Sequence, residues 1–157
     1  GRTGAAAARV RMSDDADGDA KWLQRFDLGE CSPSVEPGAT YDLGSWYTAT
    51  SATQFSVYLR NDRGAWQYWT SSSWFPESSN PRLATWTTPP IPEGYEAISF
   101  GLNVFDDGEL VVDDVSLRLR PGAEGSDTGA AHEQVDVAGG VEVHGETEAD
   151  RARRIEG

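Results

Sequence analysis

One segment near the middle of the chain constrains the fold more than any other part of the sequence. Residues 54–60 alternate between apolar and polar or amphipathic side chains, with Phe55, Val57 and Leu59 at every second position. Neighbouring side chains of a β-strand point to opposite faces, so these three should face a core and Tyr58 should face away. The segment therefore predicts a β-sheet with one buried face.

The turn after this strand decides which side chains of the next strand face outward. Asn61 and Gly64 suit the first and last positions of a type I turn that is closed by a left-handed glycine bulge, with Asn61 paired to Ala65. This turn sets three cross-strand pairs: Arg60 with Trp66, Tyr58 with Tyr68, and Val57 with Trp69.

Under this register Trp66, Tyr68 and Tyr58 share the outward face, while Trp69 packs inward. A four-residue loop would shift the register by one residue and exchange the faces, leaving Trp69 outside. The bulged turn is the preferred interpretation.

The remaining sequence consists of short strand-like runs separated by turn signals such as Asp17-Gly18 and Asp107-Gly108. No segment has a sustained helical period, so an all-β, two-sheet antiparallel β-sandwich is predicted. The predicted strands are Ala6–Met12, Lys21–Phe26, Thr40–Ala49, Gln54–Arg60, Ala65–Ser71, Leu83–Thr87, Glu96–Val104 and Glu109–Leu119.

The sequence divides into an aromatic body, residues 1–120, and a tail, residues 121–157. All sixteen aromatic residues lie between Trp22 and Phe105, and the tail is rich in Gly, Ala and Glu. Too little apolar surface is available in the tail to offset chain entropy, which predicts a disordered acidic tail or linker.

Charge narrows the range of partners. The net charge of −13 is divided almost evenly between body and tail, and no basic stripe interrupts it. Binding to nucleic acid or to an anionic membrane surface requires clustered Lys and Arg, so neither is expected.

The number of aromatic residues points to a ligand surface. Six Trp and five Tyr exceed the needs of a small two-layer core, and strand alternation forces some of them outward. Exposed rings beside Ser, Thr, Asn and Gln suit sugars, which combine flat C–H faces with hydroxyl edges. The candidate carbohydrate-binding residues are Trp66, Tyr68, Tyr58, Trp74 and Trp46, whereas Trp22 and Trp86 are assigned to the core.

Catalytic motifs are missing from the sequence. Both histidines, His132 and His144, lie in the predicted tail, and no nucleophile elbow, phosphate loop or His-based metal spacing occurs. A non-catalytic function is expected. A less favoured alternative is a glycan-active domain that uses Asp106, Glu109 or Asp113.

Two further features leave alternatives open. Asp113 and Asp114 interrupt an apolar strand, where a carboxylate needs either an arginine or a cation such as calcium. Cys31 is the single cysteine, either a small buried thiol or half of a disulfide to a partner upstream of residue 1.

Three stretches also resemble a known family. Residues 111–117 (VVDDVSL), 40–47 (TYDLGSWY) and 64–75, with Trp66-Gln67-Tyr68-Trp69, resemble jelly-roll carbohydrate-binding modules of the galactose-binding-like type. The hairpin over 64–71 and Trp74-Phe75 look like the version appended to bacterial polysaccharide deacetylases and related secreted enzymes. The resemblance covers roughly residues 4–119.

The resemblance implies a two-sheet sandwich, an open sugar-binding groove on one sheet, and a structural calcium near the last strand, with Asp113 or Asp114 as ligand. It also implies a secreted or cell-surface protein in which the module holds an attached catalytic domain near a polysaccharide or cell-wall glycan. The family's usual first strand is missing before Gly1. The main alternative is a structural or adhesive β-domain whose aromatic face contacts another protein.

Overall fold

The computed structural model describes residues 4, 6–13, 18–28, 31–121 and the backbone of 135–136. These residues contain β-strands and no helix, so none of them belongs to a helix that could cross a membrane. The strands are β1 (Ala8–Met12), β2 (Ala20–Lys21), β3 (Thr40–Ala49), β4 (Phe55–Asn61), β5 (Trp66–Ser71), β6 (Ser78–Thr87), β7 (Tyr95–Val104), β8 (Gly108–Arg120) and β9 (Val135–Asp136).

The strands form two antiparallel sheets packed face to face. Sheet A has the order β1-β8-β3-β6, with the short β9 also paired to β8, and sheet B has the order β2-β7-β4-β5. The predicted all-β sandwich is confirmed.

The core lies between the sheets and follows the predicted alternation. Phe55, Val57 and Leu59 of β4 have no exposed surface, and they face Leu43 and Tyr47 of β3 across the interior. Burial of a large apolar side chain stabilises the fold by about 1.5–3 kcal/mol. Trp22 is buried in this core and Trp86 packs against it, as expected from the sequence.

The bulged hairpin turn is confirmed. Gly64 has a φ of 86°, and the Asn61 amide donates to the Ala65 carbonyl at 2.9 Å. The pairs Arg60–Trp66 and Tyr58–Tyr68 form as predicted.

The third predicted pair of this hairpin is wrong. Val57 pairs with Thr70, because a β-bulge makes Trp69 an extra residue between Tyr68 and Thr70. Trp69 still packs against the core, which is the side predicted for it.

Two predicted strands differ substantially from the observed ones, and the bounds of the others agree within two residues. β6 begins at Ser78 and contains Pro81, which the ladder accommodates because β6 is an edge strand. The strand predicted over Lys21–Phe26 ends at Lys21. From there the chain leaves the edge of β7, and the Gln24 side chain accepts the Phe100 amide at 2.7 Å in place of a backbone carbonyl.

Two other predictions differ from the structure in part. Cys31 is exposed, so its interpretation as a buried thiol is wrong, and a disulfide to an upstream partner stays a prediction. Val135–Asp136 pair with Ser116 and Leu117 of β8, which the prediction of a disordered tail did not include. The rest of residues 122–157 lies outside the described residues.

Candidate functional site

The outward face of sheet B brings three of the five predicted sugar-binding residues together. Tyr58 on β4 and Tyr68 on β5 are directly opposite, with ring centroids 5.7 Å apart and planes at 77°. Trp66 lies two positions before Tyr68 on the same face, and all three side chains are half-buried. Their position on paired strands of a sandwich makes them a rigid aromatic group.

A stretch of the chain that precedes β3 crosses this outward face. Residues 22–28, called here the covering segment, pass so close to β7 that a Cβ built on Gly101 would lie 1.7 Å from the Trp22 carbonyl oxygen. The Ser99 hydroxyl donates to the Gln24 carbonyl at 2.7 Å. The side of sheet B that alternation turns outward is therefore largely occupied by the protein itself.

Phe26 of the covering segment completes the aromatic group. Its ring stacks on Trp66 with centroids 5.0 Å apart and planes at 19°, and it lies 5.0 Å from Tyr58 at 47°. Sequence reasoning missed Phe26 because it was placed in a strand that the structure does not contain. The available signal was a further aromatic residue with no assigned place in the core.

The backbone carbonyl of Asp27 is the polar centre of this end of the surface. It accepts a hydrogen bond from Arg60 Nη1 at 2.7 Å and another from Trp66 Nε1 at 3.1 Å. The Arg60 guanidinium also lies 5.7 Å from the Trp66 ring centroid and pairs with Glu96 at 3.2 Å. Trp66 is thus fixed through both its ring and its N–H group.

A buried ion pair lies behind Tyr58. Lys21 and Asp19 are both fully enclosed, with Lys21 Nζ 3.2 Å from the Asp19 carboxylate. The same ammonium donates to the Tyr58 hydroxyl at 2.8 Å. Tyr58 therefore has its hydroxyl bonded and its ring packed, and the Tyr68 hydroxyl shares a hydrogen bond with the Ser71 hydroxyl at 2.7 Å.

Trp74 lies beyond the other end of β5 from Trp66. It is 56% exposed and contacts Phe105 edge-to-face, with ring centroids 5.4 Å apart. Trp74 and Phe105 therefore form a separate ring pair, outside the cluster of Trp66, Tyr68 and Tyr58.

Trp46 does not join this surface. It lies on β3 of sheet A, where Tyr47 beside it faces the core and Trp46 itself faces outward, paired with Leu83 and Asp113. The parity prediction for Trp46 is correct, but the residue is on the opposite side of the sandwich from Trp66.

Asp114 lies in a bulge of β8, directly after Asp113, which still pairs with Trp46. Asp114 adopts a φ of 50°, and its amide donates to Asp113 Oδ1 at 2.9 Å. Within the described part of the chain, no group of three or more His, Cys, Asp or Glu side chains could hold a metal ion. A calcium ion at this bulge would therefore need backbone carbonyl oxygens or water for most of its ligands.

The carboxylates considered for catalysis are not assembled around the aromatic group. Asp106 is exposed in the turn before β8, and Glu109 is bound by Arg11 at 3.0 Å and by Arg9 at 3.6 Å. Glu109 instead lines a hollow of about 730 Å³ at one end of sheet A, together with Thr48, Ala49, Thr50, Glu77, Ser78 and Ser79.

No known family model matches the sequence, and no curated protein matches it. Among solved structures, one described as "CBM4 structure and function" has 14% identity and a TM-score of 0.49, covering 75% of this chain and 74% of its own. "Family 16 Carbohydrate Binding Module-2" has 14% identity, a TM-score of 0.47, and coverages of 73% and 77%. The CBM22-1 xylan-binding domain of Paenibacillus barcinonensis Xyn10C has 12% identity, a TM-score of 0.47, and coverages of 76% and 85%. These identities are too low to assign the chain to a family.

Proposed function

We propose that this domain binds carbohydrate, without catalysis, at the aromatic group on the outward face of sheet B. The observation that carries the proposal is the position of Trp66, Tyr68 and Tyr58 together on the outward face of a rigid sheet. These rings stay partly exposed even though Phe26 packs against two of them, and partly exposed rings collected on one face suit a ligand surface.

The chemistry of the surface suits a sugar. Aromatic faces contact the C–H faces of a pyranose ring, and hydroxyl groups of the sugar need donors and acceptors at the ring edges. The Ser71 hydroxyl lies on the same face of β5 as Tyr68 and shares a hydrogen bond with its hydroxyl. With roughly 0.5–1.5 kcal/mol for each stacked ring, the expected dissociation constants are in the micromolar to millimolar range.

The biological role that we propose is targeting. A module of this affinity is useful when it is joined to a secreted enzyme, because tethering raises the local concentration of enzyme at a polysaccharide or cell-wall glycan. A polysaccharide deacetylase is the attached enzyme that the sequence resemblance suggests. Trp74 would extend the contact along an insoluble ligand.

Binding to insoluble chitin, cellulose and xylan tests the proposal. The triple variant Trp66→Ala, Tyr68→Ala, Trp74→Ala should lose retention on the matrix that binds the wild type, because only Tyr58 of the proposed stacking rings remains. Trp46→Ala is the matched control, since it removes an outward Trp from the other sheet and should leave retention unchanged.

The outcomes are distinct. Retained binding by the triple variant, with a native circular dichroism spectrum, would mean that the site is elsewhere. Loss of binding in Trp46→Ala alone would move the site to sheet A. Absence of binding by the wild type to all three matrices would favour the structural or adhesive alternative.

We also propose a structural calcium ion at the Asp113–Asp114 bulge. The proposal rests on two adjacent carboxylates at a point where the ladder with β3 is interrupted and Asp114 has a left-handed backbone. Chelation of calcium should then lower the melting temperature, and Asp113→Asn should remove most of this effect. Identical melting curves with and without chelator would contradict the calcium site.

A further inference from the structure

The covering segment has two parts that differ in how firmly they are packed. Leu23 and Gln24 have no exposed surface, whereas Phe26 and Asp27 are half-buried and Leu28 is 79% exposed. Only the first part is enclosed by the protein. In the second part, residues 26–28, the Asp27 carboxylate accepts from the Cys31 amide at 2.7 Å, and the Phe26 ring and the Asp27 carbonyl contact Trp66 and Arg60.

These two contacts provide the groups that a sugar would provide. Phe26 presents a flat apolar face to Trp66, with planes only 19° apart. Asp27 presents an oxygen acceptor to both Arg60 Nη1 and Trp66 Nε1. A pyranose ring combines the same two features, a C–H face for the indole and ring or hydroxyl oxygens for the donors.

Arg60 retains a donor that the covering segment does not use. The residue is 7% exposed, and its Nε atom is buried without a hydrogen-bond partner among the described residues. A buried donor without an acceptor is unfavourable, and a ligand that carries several hydroxyl oxygens could provide the missing acceptor. The covering segment is therefore an incomplete match for the groups around Trp66.

We infer that residues 26–28 are an intramolecular competitor for the glycan, an inference that rests on the proposed function. Without ligand, Phe26 and Asp27 occupy Trp66 and Arg60. A glycan chain that extends along β5 as far as Trp66 displaces them, while Gln24 and the hydrogen bond from the Ile98 amide to the Pro33 carbonyl keep the flanking chain in place.

Phe26→Ala in the full chain tests the competition. Calorimetric titration with the β-1,4-linked hexasaccharides of xylose, glucose and N-acetylglucosamine should show about two- to tenfold tighter binding, the change expected when one ring contact no longer has to be broken. Leu28→Ala is the matched control, because it shortens an aliphatic side chain of the same segment that is 79% exposed. Phe26→Leu, which keeps apolar bulk, replaces Phe26→Ala if that variant is unfolded.

Hydrogen exchange provides a second measurement, in which the competition predicts faster exchange when the ligand binds. In the wild type, saturating oligosaccharide should accelerate exchange of the Cys31 and Ser32 amides, because both donate to the Asp27 carboxylate and lose this acceptor when Asp27 leaves the sheet. Slower exchange of these amides, or equal or weaker binding by Phe26→Ala, would overturn the competition and make Phe26 a part of the ligand platform. In that case binding itself survives, whereas failure of both proteins to bind any hexasaccharide would reject the proposed function as well.

Discussion

The two outward faces of the sandwich start from the same alternation and end in different environments. On sheet A, outward side chains meet one another at the surface: Asp42 accepts from Thr87 at 2.5 Å, and Arg120 donates to Thr87 at 2.8 Å with more than half of its side chain exposed. On sheet B, the outward residues Ser56 and Ser99 have no exposed surface.

The difference comes from the covering segment. Parity determines the side of a sheet from which a residue projects, but the path of a connection determines whether that side meets water. Where the covering segment crosses sheet B, short side chains lie beneath it, and Gly101 lies where the backbones come closest. The aromatic group occurs where the enclosed part of this segment ends.

The largest expected difference between the two faces is the loss of stability when a charged side chain is removed. Lys21→Met should lower the free energy of unfolding by about 3–5 kcal/mol, because the fully enclosed Asp19 carboxylate would lose its countercharge. Arg120→Ala, which removes the ion pair with Asp42 on sheet A, should cost less than about 1 kcal/mol because both side chains are exposed to water. Urea denaturation of the two variants measures both values, and similar losses would mean that the two faces do not differ in this way.

The second difference concerns how closely other parts of the chain approach each sheet, and one glycine on each face tests it. Gly101→Ala should destabilise the protein by about 3 kcal/mol, because the new methyl group would meet the Trp22 carbonyl, which cannot rotate away. In Gly44→Ala on sheet A the methyl group meets the Ser116 hydroxyl at 2.6 Å, and this side chain can change rotamer. The stability of the Gly44→Ala variant should stay within about 1 kcal/mol of the wild type. Melting temperatures are sufficient to rank the two, and a tolerated Gly101→Ala would mean that the covering segment is held loosely.

The smallest expected effect is the pH dependence of stability that comes from Tyr47, in the core between the two sheets. Burial raises the pKa of the Tyr47 phenol above its ordinary value of 10.0, although the positive charge of Arg82 acts in the opposite direction. The unfolded chain therefore loses this proton first, so the contribution of Tyr47 is complete below pH 10.0 and is lost as the pH rises through the higher folded value.

Tyr47→Phe isolates this effect. At neutral pH the variant should be less stable by about 1 kcal/mol, because it lacks the hydrogen bond from the phenol to the Pro76 carbonyl. The gap between the two proteins in urea denaturation should narrow above about pH 10. A gap that is constant up to about pH 11 would contradict the raised pKa of Tyr47.

Local sequence was sufficient to predict the hairpin that carries the site. The Asn61–Gly64 turn fixes the register, so the outward positions of Trp66 and Tyr68 follow from rules that act over a few residues. The bulge at Trp69 could not be predicted in this way, since it depends on packing against the core rather than on the turn.

The remaining features of the site depend on contacts distant in sequence. Phe26 lies 40 positions before Trp66, and nothing in its own neighbourhood shows that the chain leaves the sheet edge after Lys21. Trp46 illustrates the opposite case, because its outward parity was predictable but its sheet was not. Assignment of a strand to one of two sheets requires the topology, which alternation does not contain.

The buried Lys21 has a practical consequence for chemical labelling. It is the only lysine in the sequence, and Cys31, the only cysteine, is exposed four residues after Asp27. Maleimide reagents should therefore attach a fluorophore beside the covering segment under native conditions, whereas acylation of the lysine ε-amine should occur only when that part of the molecule opens. The protein thus offers a cysteine that can be labelled in the native state and a lysine whose rate of modification measures how often it becomes exposed.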